Sequence, residues 1–282
     1  MPQTPPNAPS QGTRATADGQ FALVTGGAKR IGAAIATALA SHGWIPLVQF
    51  QSSAREAAAT VSAIREQGGM AHAVEQDLNA LDGHVASAWL ERLEANHGPI
   101  GLIVNNAARF EFDSPENFSA ESLQAHLKTN LQAPLLLIQA YYERLRQAKG
   151  PARRGVAIQL LDQKLLNPNP DFFSYTLSKA ALSHGCELMA RAFAPHLRVL
   201  SVSPGISLPS ADQTQAEFER AHGQTPMGQS SRPQDIAEAV CWLARAQAIT
   251  GVNLAVDGGQ HLCPSPRDIL FLTRSPDHDR PA

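Results

Sequence analysis

The chain is expected to form a single α/β domain in which a parallel sheet is covered by helices on both faces. Three observations across its 282 residues lead there. Short apolar runs alternate with helical patterns, and the connections between them are mostly short. A glycine-bearing run, Thr25-Gly26-Gly27-Ala28-Lys29-Arg30-Ile31-Gly32, also stands where the first strand turns into the first helix. Such alternation places parallel strands side by side with helical crossovers, and ligands of such sheets belong beyond the carboxyl ends of the strands.

Phe21 to Thr25 reads as a buried strand, and Ile31 to His42 as an alanine-rich helix stopped by Gly43. Trp44 to Phe50 is the next apolar run; Ala54 to Gln67 is helical in pattern and ends at Gly68-Gly69. Met70 to Gln76 follows as a third strand, closed by Asp77, and a helix from Gly83 to Asn96 leads into the strand Ile100 to Val104. Two long helical patterns, Ala120 to Gln147 and Ser174 to Ala194, flank the strand Val156 to Leu161. Then come a strand at Val199 to Val202, a Pro/Ser-rich loop with a helical insert from about Pro209 to His222, a helix at Pro233 to Ala246 and a strand at Val252 to Val256. There is no internal repeat and no heptad array.

The charge balance, formally −2, offers no basic field for nucleic acid or an anionic membrane, so the expected partner is a small molecule. Cys186, Cys241 and Cys263 are far apart and lack zinc or redox spacing, which fits a reducing cytoplasm. The ten histidines show no ligand spacing, so no metal is expected. Residues 1–19 are rich in Pro, Ala, Thr, Gln and Asn without an apolar run, and read as a disordered tail rather than a signal peptide or a membrane span. The last stretch mixes Ile269-Leu270-Phe271-Leu272 with Pro and charge; it could cover an edge, a neighbouring subunit or nothing.

Glycines at a strand-to-helix turn let backbone amides approach a pyrophosphate while the helix N-terminus favours its charge; the same residues would also suit a tight turn that binds nothing. Arg30 occupies a place where such loops are usually small, and its guanidinium could reach a phosphate or, beyond it, an acceptor on a substrate. A free ribose 2′-hydroxyl calls for an acid after the second strand. The chain instead reads Gln49-Phe50-Gln51-Ser52-Ser53-Ala54-Arg55, which points to a 2′-phosphate and hence NADPH, with Lys29, Arg30, Ser52, Ser53 and Arg55 as candidate contacts. Asp77 could accept from an adenine amino group or simply cap a helix.

Tyr175 and Lys179, four apart on a helix, share one face, so the ammonium is placed to lower the phenol pKa toward that of a working proton donor. Thr25-Gly26 to Gly32, Asn105-Asn106-Ala107, Asn130, Tyr175 with Lys179, Pro204-Gly205 and Asp257-Gly258-Gly259 together resemble the short-chain dehydrogenase/reductase family in type and order, over about residues 20–262. The resemblance implies a Rossmann-like doubly wound fold, with 263–282 as an extension, a nicotinamide cofactor and a homotetramer built on the two long helices. It makes Tyr175 the proton donor, Lys179 the ribose ligand that lowers the Tyr pKa, and Asn130 the anchor of a proton-relay water. Cofactor contacts are expected from Gly26, Lys29, Arg30, Ile31, Ser52, Ser53, Asp77, Leu78, Asn105, Ala107, Lys179, Pro204, Gly205 and Ser207.

Two positions depart from the family's common pattern: Asp162 replaces the usual Ser thirteen places before the Tyr, and Arg30 replaces a usual Gly. With Phe110 and Ser207, these departures are similar to the pteridine reductase branch and its dihydromonapterin- and dihydrofolate-reducing relatives. There the aromatic stacks on the pterin and the Arg lies near both phosphate and substrate. The expected substrate contacts are therefore Arg30, Phe110, Asp162 and Tyr175, with a core aromatic as the plainer role for Phe110; Ala108 lacks a hydroxyl some of these relatives carry. Charge points the same way. A carboxylate beside Tyr175 raises the cost of tyrosinate, disfavours alcohol oxidation and suits proton delivery to a ring nitrogen, unless Asp162 is a structural partner of Lys164, Arg153 or Arg154. The resulting expectation is an NADPH-dependent pterin-type reductase. A general carbonyl or quinone reductase and a catalytically silent nucleotide binder are the alternatives.

Overall fold

A computed structural model describes residues 20–148, 153–210 and 213–273; the expected tail at 1–19 and positions 274–282 of the expected extension lie outside the described residues. The sheet strands are β1 (Phe21–Thr25), β2 (Ile45–Phe50), β3 (His72–Glu75), β4 (Ile100–Asn105), β5 (Gly155–Leu160), β6 (Leu197–Pro204) and β7 (Asn253–Val256). β1 and β5 are buried along their whole length, which is why they read as continuous apolar runs rather than alternating ones. All neighbours pair in parallel, in the seven-stranded order β3-β2-β1-β4-β5-β6-β7. The order reverses between β1 and β4, which opens a crevice at their carboxyl ends.

The helices are α1 (Arg30–Ser41), α2 (Ala54–Glu66), α3 (Gly83–His97), α4 (Ala120–Leu127), α5 (Ala133–Gln147), α6 (Phe173–Phe193), α7 (Gln215–Gly223), α8 (Pro233–Arg245) and α9 (Ile269–Leu272). One apolar layer joins Val24, Val48, Val104 and Ile158 of the sheet to Ile35 of α1, Ile64 of α2 and Val240 of α8. The other joins Leu23, Ile103 and Ala157 to Trp89 of α3, Leu137 of α5 and Leu182 of α6. Successive strand residues thus feed opposite layers, as the pleat dictates. No helix among the described residues is long and apolar enough to cross a membrane.

Two expected elements differ. The pattern Ala120 to Gln147 is not one regular helix: α4 and α5 are joined by a π-turn, Lys128–Gln132, where the Ala133 N–H reaches back to the Lys128 carbonyl. Pro134, in the first turn of α5, has no N–H to give the Asn130 carbonyl, and hydrophobic periodicity cannot reveal one extra residue in a turn. The insert expected from about Pro209 starts later, at Gln215, because Thr214 and Glu217 form a reciprocal capping box there.

Candidate active site

The β1–α1 turn is built for close approach. Gly26 lies at φ +60°, and a Cβ on Gly32 would fall 2.1 Å from the Gly26 carbonyl oxygen. The turn is braced from both sides: the Gly26 N–H donates to Gln49 Oε1 at 2.7 Å, and Asn106 Nδ2 donates to the Thr25 and Gly26 carbonyls. Thr25 Oγ1 in turn accepts from the Asn106 and Ala107 amides. Beside it opens a cavity of about 390 Å³ lined by Gly26, Lys29, Arg30, Ile31, Ser52, Ser53, Leu78 and Ala107 among others, with no Asp or Glu in the lining. A turn too tight for a Cβ at Gly32, next to a cavity carrying Lys29 and Arg30, fits a dinucleotide pyrophosphate.

Other expected contacts are engaged within the protein. Asp77 Oδ1 accepts from the Asn79 N–H at 2.8 Å, so it caps the short helix Leu78–Ala80 and does not line the cavity. Arg55 is exposed on α2, also outside the lining. Arg30 sits at φ +54°, the left-handed region, which is why a glycine is easier there, and its guanidinium donates to the Pro209 carbonyl at 3.0 Å. Pro204 ends β6; a Cβ on Gly205 would fall 2.4 Å from Ser230 Oγ. The Ser207 hydroxyl turns inward to the Gly205 carbonyl and Ser231 Oγ.

Where β5 ends, the Tyr175 hydroxyl donates to Asp162 Oδ2 at 2.9 Å, while Asp162 Oδ1 accepts the Lys164 N–H at 2.8 Å. Tyr175 is fixed from below because Asp113 accepts the Ser174 N–H at the first turn of α6. Two of the three alternative side-chain partners of Asp162 point elsewhere: Arg153 pairs with Glu94, and the Lys164 ammonium meets Asn169 and Asp268. Burial pushes the Asp162 carboxyl up from its ordinary range, against the opposing pull of its hydrogen bonds to Lys164 and Tyr175. Burial, and then the Asp162 charge, push the Tyr175 phenol well above its ordinary value.

Lys179, expected to lower the phenol pKa, is not among the groups that shift it here. Lys179 Nζ donates to the Leu160 carbonyl at 2.6 Å and lies 5.8 Å from the Tyr175 ring centre, and burial lowers its own pKa to about 8. The carboxylate touches the phenol and the ammonium does not. Burial and the Asp162 charge both favour the protonated phenol.

Asn130, in the π-turn, uses its whole amide: Oδ1 accepts from the Arg109 N–H, and Nδ2 donates to the Arg109 carbonyl and to Ser178 Oγ. It clamps the segment that carries Phe110. Asn105 is buried at the end of β4, beside Asn130 and Lys179, and its Nδ2 has no hydrogen-bond partner among the described residues. Phe110 is 47% exposed, stacks on Phe172 with ring centres 4.2 Å apart and sets its ring edge-on to Tyr175 at 4.7 Å. It is thus a wall of the site with one face already covered. Sequence reasoning missed Phe172 and Ser178 as parts of this arrangement, and read Gln49 and Asn106 without assigning them a role. An aromatic three positions before Tyr175 was the available signal for Phe172, but its left-handed backbone, φ +54°, was not readable.

The model of a family described as enoyl-(acyl carrier protein) reductase matches residues 26–261. The crystal structure of FolM alternative dihydrofolate reductase 1 from Brucella canis, complexed with NADP, matches with a TM-score of 0.81 at 34% identity, covering 91% of this chain and 99% of that one. Pteridine reductase 1 of Leishmania tarentolae is 30% identical over 86% of this chain and 96% of its own length. The 3beta-hydroxysteroid dehydrogenase 1 of Eggerthella lenta is 31% identical over 87% of this chain and 95% of its own. With its parallel sheet, glycine cradle and Tyr175–Lys179 pair, the chain belongs to the short-chain dehydrogenase/reductase family of NAD(P)-dependent oxidoreductases.

Proposed function

We propose that this oxidoreductase uses NADPH to reduce a C=N bond of a pterin-like substrate, in the dihydropterin or dihydrofolate class. The observation that carries the reading is the Tyr175 hydroxyl held on the Asp162 carboxyl at 2.9 Å beside the Phe110–Phe172 stack. The likeness to proteins named dihydrofolate and pteridine reductases supports it. When bound, the reduced nicotinamide supplies a hydride to the ring carbon. The tight Gly26–Gly32 turn would bring backbone amides to the pyrophosphate, Lys29, Arg30, Ser52 and Ser53 would favour a 2′-phosphate in an acid-free lining, and Lys179 would hold the nicotinamide ribose.

Tyr175 delivers a proton to the ring nitrogen next to the carbon being reduced. Asp162, whose carboxyl burial pushes up from its ordinary range, returns a proton to Tyr175, so the phenolate does not persist. Phe110 offers its exposed side to the flat substrate ring, and Arg30 approaches a polar edge of it. The protein works as a homotetramer in this reading. General carbonyl reduction is the second reading, favoured by the likeness to a steroid dehydrogenase. The test is loss of NADPH absorbance with dihydrobiopterin, dihydromonapterin and dihydrofolate against ketones, aldehydes and quinones. Pterin turnover supports the first reading, and turnover on carbonyls or quinones alone refutes it.

A further inference from the structure

Residues 263–273 belong neither to the sheet nor to its helical layers, yet they are tied to the 162–172 loop along its length. Asn167 Nδ2 donates to the Cys263 carbonyl at 2.7 Å. Arg267 Nε donates to both oxygens of Asp171, at 3.0 and 2.8 Å, and the Asp268 N–H donates to the same carboxylate at 2.7 Å. The Asp268 carboxylate reaches back to the Lys164 ammonium at 3.1 Å. The Asp171 and Lys164 side chains are almost fully buried, so each charge depends on these partners.

The rings continue the tie. Phe271 meets Phe112 edge-on at 5.1 Å and lies near parallel to Phe172 at 6.0 Å, while Leu270 is buried against Phe172 and Tyr175. Phe172 holds a left-handed backbone that a bulky residue adopts only under constraint. Its ring stacks on Phe110 and lies near parallel to Phe271. The loop thus has Asp162 at its start and Phe172 at its end, and the strap grips between them.

We propose that Asp268 and Phe271 are positioning residues of the active site: strapping the 162–172 loop keeps Phe172 behind Phe110 and Asp162 against Tyr175. The ring part stands for any flat or apolar acceptor; the proton part rests on the reductase reading above. The charged and titratable groups facing Asp162 are Tyr175 and Lys179 from α6, Lys164 from its own loop and Asp268 from the strap. Asp268 raises the Asp162 pKa and Lys164 lowers it. Neutralising Asp268 removes the first influence and frees the second, so Asp162 loses its proton at lower pH.

The test compares Phe271→Ala, Phe271→Tyr and Asp268→Asn with the parent protein, using whichever acceptor the parent reduces, together with hydrogen exchange. Phe271→Ala is expected to raise the acceptor KM about tenfold with the NADPH KM unchanged, and Phe271→Tyr to restore it. Asp268→Asn is expected to move the high-pH fall of kcat to lower pH. Exchange at 163–172 should quicken in Phe271→Ala while that of 21–41 stays as it was. Unchanged acceptor KM, an unmoved pH limb and unaltered loop exchange would overturn the proposal. If the parent reduces only carbonyls, the pterin reading falls and the strap is still judged by acceptor KM and exchange. If the parent reduces pterins and the variants match it, the strap falls alone.

Discussion

Replacing Asp162 by Asn separates its geometry from its proton. Asn can still accept the Lys164 N–H through its amide oxygen and meet the Tyr175 hydroxyl with its nitrogen, so the loop keeps both of its ties. The side chain can no longer hand a proton to Tyr175. Loss of one positioned proton donor costs roughly a hundredfold, and more than tenfold, about 1.4 kcal/mol of barrier, is the expected minimum for kcat on a dihydropterin in both Asp162→Asn and Asp162→Ser. NADPH affinity, measured by fluorescence, should be unchanged. Stability supplies an independent reading. A carboxyl whose folded pKa is raised holds its proton longer folded than unfolded, so the parent loses stability as pH rises from the ordinary carboxyl value of 3.8 through the raised one. Asn carries no such penalty, and the melting temperature of Asp162→Asn relative to the parent should rise as pH climbs above the ordinary carboxyl value of 3.8. Unchanged turnover would remove Asp162 from the mechanism, and a flat melting difference would refute its buried, proton-holding state.

Lys179→Met should abolish turnover yet stabilise the fold at neutral pH. The Lys179 pKa drops from 10.5 to about 8 on burial, so holding the ammonium costs about 3 kcal/mol below that pH. An unpaired Leu160 carbonyl takes back about 1 kcal/mol. Because the folded pKa is depressed, the advantage over the parent should shrink as pH climbs from about 8 toward 10.5 in denaturant melts. Gly32→Ala drives a Cβ to 2.1 Å from the Gly26 carbonyl and should weaken NADPH binding more than tenfold, or about 1.4 kcal/mol, by fluorescence titration. Phe110→Ala should raise the pterin KM about tenfold and leave the NADPH KM alone; equal effects on both would deny it a substrate-facing role. Light scattering should return four times the chain mass, and a monomeric mass would overturn the tetramer.

The sheet was legible because buried parallel strands are apolar throughout and the intervening helices carry their own period, so β1 and α1 emerge within a residue or so of their observed bounds. The cradle was legible because only glycine suits Gly26 and Gly32, and the Tyr175–Asp162 contact because the family the chain resembles places a partner thirteen positions before its Tyr. What stayed hidden depends on tertiary geometry. Gln49 looked like a missing acid, but the structure makes it the brace of the Gly26 amide. Asn130 is a clamp on Arg109 because of a π-turn that no periodicity displays. Phe172 matters through a left-handed backbone and through Phe271, a residue about a hundred positions away.

The most direct test of pterin reduction follows the transferred hydrogen. The protein is incubated with NADPH deuterated at the transferred position and with a dihydropterin and a ketone in the same vessel, and the products are weighed by mass spectrometry. The account predicts a tetrahydropterin carrying one deuterium on the carbon beside the protonated nitrogen, with little labelled alcohol. Label found in the alcohol alone would contradict it, and would leave Asp162 and Phe110 as walls of a carbonyl reductase.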